Sequence, residues 1–507
     1  MPRVLAVSLA LALAGGALFA SGGREEGNTP AGPKAVKLYG YLIGAPPSGM
    51  PDVMAELNRK LKADFNCTME INYINWADRQ SKYPLVLAAG EDIDWIFTAN
   101  WCMYAQQAVR GAFLELDEAV LKKFMPRHFA ALPPEGWQQA KVGGKIFMVP
   151  TSTPDRKVPI FLLRRDLRLR YGIHEVGRMS DAEPYLNAIL RNEPGMIPMD
   201  IEIGYDLPAA FSAIRNQYCS PFAWLVNDTV PFIYDYELTH PRVVTELDGG
   251  YGTAFAKAAR ILKGWWDRGY FNKNPFANKV RSRETFAQGK SAVAFGNSQD
   301  SQGTIARARE QGYEVEIIPV LSSTGTYPAD PYINNGFAVA ATSKNVERTL
   351  MVLDAMMEDP SYDYLVYFGI EGKNYVIRND MIDLPEGLTA DKNTYPPDAA
   401  GFWFTNKDIF MPLASWTPEY MTLRANLKNM LFATPYSAFS YLPGKVKAEI
   451  TAVTQVWQQY AQPLMMGMVP DVDKAISALK ANLDAAGSDR VIREMQKQMD
   501  AFAAGLK

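Results

Sequence analysis

The feature that most constrains this chain is an alternation of short apolar runs with amphipathic helical patterns between residues 36 and 98. Val36-Lys37-Leu38-Tyr39-Gly40-Tyr41-Leu42-Ile43 reads as a buried strand that ends in the loop Gly44-Ala45-Pro46-Pro47. Asp52 to Lys62 places Val53, Leu57 and Leu61 on one helical face. Met69 to Ile74 is a second strand, Tyr83 to Ala89 a short helix closed by Gly90, and Asp94 to Thr98 a third strand. Strand, helix, strand, helix, strand in that order implies right-handed crossovers and a parallel sheet. In such sheets ligands bind beyond the carboxyl ends of the strands. The residues of interest are therefore Gly44 to Ser48, Asn75-Trp76 and Thr98 to Trp101.

Further along, Gly143 to Pro150 reads as a turn and strand, and Ile160 to Leu163 as another strand. The polar stretch Thr151 to Pro159 between them predicts a crossing from one lobe to the next. Ser291 to Phe295, Val315 to Val320 and Gly336 to Ala341 are further strands, and the polar loop Leu321 to Asn335 predicts a second crossing. Asn345 is placed to cap a helix carrying Val346, Leu350, Leu353 and Met357. Two helices end the chain. One starts at Asp471 and stops at Gly487; the other sets Val491, Met495 and Phe502 on one side. Repeats and coiled-coil heptads are absent from the sequence.

Composition excludes several functions. The 507 residues hold 52 basic and 55 acidic side chains, a net charge of −3. Nucleic acid or an anionic membrane as the main partner would need basic stripes. His128, His174 and His240 share no metal-ligand spacing, and neither HExxH nor CxxC occurs, so no metal and no cofactor is expected. Cys67, Cys102 and Cys219 allow at most one disulfide; a Cys67–Cys102 pair and buried free thiols are both open. Arg3 followed by the uncharged run Val4 to Ala20 reads as a secretory signal over residues 1–20, with a flexible linker over 21–34. Cleavage near Ala20 and a retained N-terminal anchor are the two readings of this segment.

Arg110 to Asp117, Gly143 to Pro150, Leu163 to Leu167 with Tyr171 to Ile173, Gly289 to Ala294, and Asn335 to Ala341 with Ser343 to Arg348 are, in that order, similar to segments of the extracellular solute-binding proteins of bacterial ABC importers, in the large carbohydrate-type family. Tyr367 to Tyr375, Tyr460 to Gly467, Leu479 to Gly487 and Glu494 to Gln498 resemble a lipoprotein-like subgroup with an added C-terminal domain. The resemblance implies an α/β fold of two lobes, each a mainly parallel sheet flanked by helices, joined by a hinge with multiple crossings. The expected division is 35–152 for lobe 1 with 322–360 returning to it, 158–320 for lobe 2, and 361–507 as a C-terminal helical region packing mainly on lobe 2. The implied function is capture of a mono- or oligosaccharide and its delivery to ABC permease subunits in the membrane, by a monomer that is not an enzyme. Ser21 stands where many members carry the lipid-bearing Cys, so the expected location is periplasmic or extracytoplasmic, without a thioether anchor.

A sugar site combines aromatic faces for the C–H surfaces with planar amides and carboxylates for paired hydroxyls. Strand ends and crossings nominate Trp76, Thr98, Asn100 and Trp101 from lobe 1, Trp224, Asn297 and Asp300 from lobe 2, Asn334 and Asn335 at the second crossing, and Trp403 from the C-terminal part. Packing is open as an alternative for all four tryptophans, and a turn role for Asn334-Asn335. Trp95 and Trp265-Trp266 read as core, and Arg164-Arg165-Asp166 as an ion pair at a helix start. The alternatives are a secreted glycoside hydrolase and a receptor-coupled binding protein. A hydrolase needs two carboxylates facing across the bond; Glu91-Asp92-Ile93-Asp94 falls at a strand entry, and no GxSxG elbow occurs.

Overall fold

The computed structural model describes residues 34–89, 92–225, 230–235, 241–442 and 444–505, apart from the side chains of Ala77, Gln80 and Trp224. The expected signal segment, Ser21, Gly90, Glu91 and His240 lie outside the described residues.

Lobe 1 is built on β1 (Val36–Ile43), β2 (Cys67–Ile74) and β3 (Trp95–Thr98). β1 pairs in parallel with β2 from Val36↔Cys67 to Ile43↔Ile74, and in parallel with β3 on its other side. Gly40 is required at the centre, because a Cβ there would meet the Trp95 indole at 2.4 Å. The helix Met50–Phe65 covers the sheet with Met50, Val53, Leu57 and Leu61 and ends at Asn66 in the left-handed conformation. Complete burial of Leu57 and Leu61 contributes roughly 1.5–3 kcal/mol each.

Two further strands complete this sheet. Gly336–Val339 runs antiparallel to β3, with Gly336 opposite Thr98, and Val149–Pro150 runs antiparallel on its far side. In lobe 2, Pro159–Arg164 lies between Val293–Asn297 and Val315–Pro319 and is antiparallel to both. A second antiparallel sheet joins Phe222–Trp224, Phe232–Asp235 and Val243–Thr245. The α/β, two-lobed architecture is therefore as expected, but the mainly parallel sheet is confined to β1–β3. Chain direction sets this: Val149–Pro150 leads into the first crossing and Gly336–Val339 returns from the second, so they run opposite, and both three-stranded sheets of lobe 2 are antiparallel throughout.

The C-terminal region, expected to pack mainly on lobe 2, divides between the lobes. Tyr362, Leu365, Val366, Tyr395, Phe402 and Phe404 sit in the core of lobe 1. Tyr441, Val453, Trp457, Leu479, Leu483, Val491 and Met495 sit in that of lobe 2. The helix Pro418–Met430 packs Tyr420, Leu423 and Leu427 against the Ile160 and Leu162 face of lobe 2. The split begins at Asp359, which caps Pro360–Phe368 through Ser361 N and turns that helix back onto lobe 1. The chain consequently crosses a third time, between Phe404 and Tyr420.

Local readings fare unevenly. Trp95 and Trp265 are core, Asp471 caps the helix Val472–Ala485 through Lys474 N, and Arg164 pairs with Asp166 at 2.6 Å. Asn345 does not cap Val346–Glu358; its amide donates to Asp94 Oδ1 at 3.2 Å instead. All three cysteines are free and buried, and burial pushes Cys102 up to about 12.

Candidate functional site

Three indoles gather where lobe 1 meets the crossings. Trp76 follows β2 directly, and Asn75 before it is still extended, so the chain turns at the strand end. Trp76 stacks on Trp101 at 5.7 Å with 22° between planes, and on Trp403 at 5.6 Å with 28°. Phe97 underlies both, tilted against Trp101 and edge-on to Trp403. Trp76 remains 53% exposed, whereas Trp101 and Trp403 are half-buried. Their polar edges are fixed: Trp101 Nε1 donates to Asn334 O at 2.7 Å, and Trp403 Nε1 to Asp398 O at 3.2 Å. The patch offers apolar ring surface already locked in place, which is what stacking on a sugar face needs. The Arg79 guanidinium lies over Trp76 and Trp101 at 5.5 and 5.2 Å.

The remaining candidates are mostly spent on structure. Thr98 is fully enclosed, and its hydroxyl donates to Cys102 O. Asn100 accepts from Trp101 N, closing the turn that carries the indole. Asn297 accepts from the amides of Gln299 and Asp300, and Asp300 accepts from Asn297 N while pairing with Arg283 at 3.1 Å. Asn334 is buried and holds Trp101 through its carbonyl. Asn335 is buried and donates to Asp155 Oδ2 at 3.0 Å. Trp224 ends its strand, and its side chain lies outside the described residues.

Sequence reasoning placed two crossings but missed the ion cluster that ties them. Lys157 of the first crossing binds Asp155 at 3.0 Å and Asp330 of the second at 3.1 Å. Lys407 of the third crossing binds Asp155 at 2.5 Å, and Arg156 binds Asp408 at 3.1 Å. All three crossings are thus tied by one ion cluster. Burial opposes the charge on Asp155, but the ammonium groups of Lys157 and Lys407 outweigh it and hold the carboxyl well below its usual range. Lys157 is raised in turn, the two carboxylates outweighing its burial. Asp330 is raised, because its burial, helped by the neighbouring Asp155 charge, outweighs Lys157 and Lys407. The signal available in the sequence was the alternation of charge in Asp155-Arg156-Lys157 inside a polar stretch.

Beside this cluster opens a cavity of about 720 Å³, within the range of small-molecule sites. Its wall draws on the first crossing, the loop after Val293–Asn297, the 367–414 region and the helix Pro418–Met430. Tyr367, Phe410 and Trp416 supply aromatic surface, and Asp155, Asp300 and Asp398 supply carboxylates. Of the candidates, Asp300 lines it; the indole patch adjoins it through the Trp403–Asp398 bond. Among the described residues no group of His, Cys, Asp and Glu is arranged to hold a metal ion.

Comparison with known proteins places this geometry. The chain is 25% identical over 479 residues to a carbohydrate ABC transporter substrate-binding protein of Streptococcus pneumoniae, covering 92% of this chain and 91% of that one. The crystal structure of the N-glycan transport solute binding protein NgtS from Streptococcus pneumoniae superposes with a TM-score of 0.76 at 24% identity, over 94% of this chain and all of that one. The same protein in complex with Man5GlcNAc gives 0.70 at 24% identity, over the same shares. A family model described as a domain of unknown function, DUF3502, matches residues 435–504. The fold is that of the two-lobed solute-binding proteins. The resemblance read in the sequence, to the carbohydrate-type extracellular solute-binding proteins of bacterial ABC importers with an added C-terminal domain, is borne out.

Proposed function

We propose that this chain captures a saccharide between its two lobes and delivers it to the permease subunits of an ABC importer. The observation that carries the reading is the patch of Trp76, Trp101 and Trp403, stacked where β2 and β3 end, beside a cavity that both lobes and two of the crossings wall. Aromatic faces hold the apolar side of a pyranose, and the adjoining polar wall meets its hydroxyls. Three crossings at one place suit hinge closure, in which ligand selects the closed arrangement by its greater affinity for it.

The protein performs no chemistry on this reading. Asp155 and Asp300, which a hydrolase would have to free for catalysis, are both held in ion pairs. It acts as an exported monomer and needs no cofactor. Among the described residues no helix is long and apolar enough to cross a membrane.

Calorimetric titration with a panel of neutral and acidic oligosaccharides, followed by mass analysis of the recovered sugar, tests this. Saturable binding with the sugar returned intact is the expected result. Cleaved sugar in the recovered material would place the chain among the enzymes.

A further inference from the structure

Most charged groups of the cavity wall have partners. Asp155 is held by two lysines, Asp300 by Arg283, Asp408 by Arg156, and Asp383 by Arg378. Glu310 accepts from Ala390 N and Asp391 from Thr389. Asp398 differs. Its Oδ1 is enclosed without any hydrogen-bond partner, and no cation pairs with it among the described residues. An unsatisfied carboxylate oxygen costs about 1–3 kcal/mol or more, so its presence asks for an explanation.

The backbone at Asp398 is held deliberately. Its φ is +70°, in the left-handed region that aspartate and asparagine tolerate better than other side chains. Two bonds keep it there: Asp398 N donates to Tyr367 O at 3.3 Å, and Asp398 O accepts from Trp403 Nε1 at 3.2 Å. The carboxylate is thereby fixed between the indole patch and the cavity it lines.

We propose that Asp398 is the specificity-determining carboxylate of the cavity, accepting hydrogen bonds from ligand hydroxyls and directing the site toward neutral rather than acidic saccharides. The inference rests on the saccharide reading above and deepens it. Neutral sugars bring only hydroxyl and amide donors, which an unpartnered carboxylate accepts; a uronic acid would bring a second negative charge. The rest of the wall agrees, with five cations against six further carboxylates.

The proposal has a pH signature. The groups that act on Asp398 are Lys407 from the third crossing, Asp155 and Lys157 from the first, Asp300 from the loop of lobe 2, and Tyr367 from the preceding helix. Burial dominates over the lysines and pushes the carboxyl up to about 6. The charged acceptor is present above that value and lost below it.

The test is titration of the wild type and Asp398→Asn with Man5GlcNAc and with an oligomannuronate, from pH 7.5 to 5. Asparagine keeps the left-handed backbone and the size but removes the charge. The expected result is wild-type binding of the neutral glycan that weakens severalfold as pH falls through about 6. In Asp398→Asn the affinity at pH 7.5 should fall about tenfold, a change of 1.4 kcal/mol, and lose its pH slope. Tighter binding of the oligomannuronate, or unchanged affinity and slope in the variant, would overturn the role of Asp398 while leaving saccharide capture intact. A wild-type affinity for Man5GlcNAc that is flat across the range overturns it without recourse to any variant. Binding of neither sugar overturns the saccharide reading and this proposal with it.

Discussion

The indole patch and the hinge ion cluster adjoin the same cavity, yet they differ in what their atoms have left to give. In the cluster, Lys157 and Lys407 are committed to Asp155 and Asp330, and Asn335 donates to Asp155 as well. In the patch, the indole N–H groups of Trp101 and Trp403 are committed, but Trp76 leaves half of its surface open. Groups with satisfied partners fix geometry; groups with unspent surface are free to meet a ligand. Buried charge can hold three crossings in register, because breaking it leaves uncompensated ions, whereas exposed aromatic surface costs little to keep and yields energy only when covered.

The largest expected effect breaks the cluster. Lys157→Ala leaves Asp155 and Asp330 facing each other and should lower unfolding free energy by about 3–5 kcal/mol in urea titration. A loss below about 1 kcal/mol would mean that the hinge does not depend on the cluster.

Next comes pH, where two carboxylates oppose each other. Asp155 is depressed in the folded state, so its stabilisation is present above the unfolded value near 4 and is lost as pH falls below it. Asp398 is raised to about 6, so its penalty is absent below about 4 and sets in as pH rises to 6. Asp398→Asn should therefore raise stability by about 1–2 kcal/mol at pH 8 and leave it unchanged at pH 4, read as melting temperature. A gain of the same size at both values would assign the effect to backbone or packing.

Within the patch the contrast sharpens. Trp76→Ala should weaken saccharide affinity by about 1 kcal/mol or more with little change in melting temperature, because the ring is half open. Trp101→Ala should lose affinity and stability together, since its indole also holds Asn334. Equal stability losses without affinity change would return both rings to packing. The smallest effect belongs to Thr98→Val, which removes a hydroxyl facing Cys102 O and should leave affinity unchanged in the same titration.

The sequence revealed most where side-chain periodicity alone decides structure. β1, its helix and β2 were readable because Leu57 and Leu61 repeat on one face and the strand runs are continuous. The strand-end rule nominated Trp76 and Trp101, which the structure stacks on one another. The third crossing was not readable: residues 405–419 carry no period, and only packing shows Phe404 in one lobe and Tyr420 in the other. The hinge cluster was hidden for a related reason. Asp155, Asp330 and Lys407 are far apart in the chain, and nothing local marks them as neighbours. Asp398 lay in Pro396-Pro397-Asp398, which reads as an ordinary turn; its importance rests on the partner it lacks. Asn100, Asn297 and Asn335 had the right chemistry for sugar hydroxyls, but turns and the hinge use the same amides.

The most direct measurement is a crystal structure grown with an oligosaccharide that titrates. Sugar rings enclosed by both lobes, one of them against the Trp76, Trp101 and Trp403 surface and its hydroxyls facing the cavity wall at Asp398, are the predicted result. A sugar seated on one lobe alone, away from both the indoles and the cavity, would contradict the account.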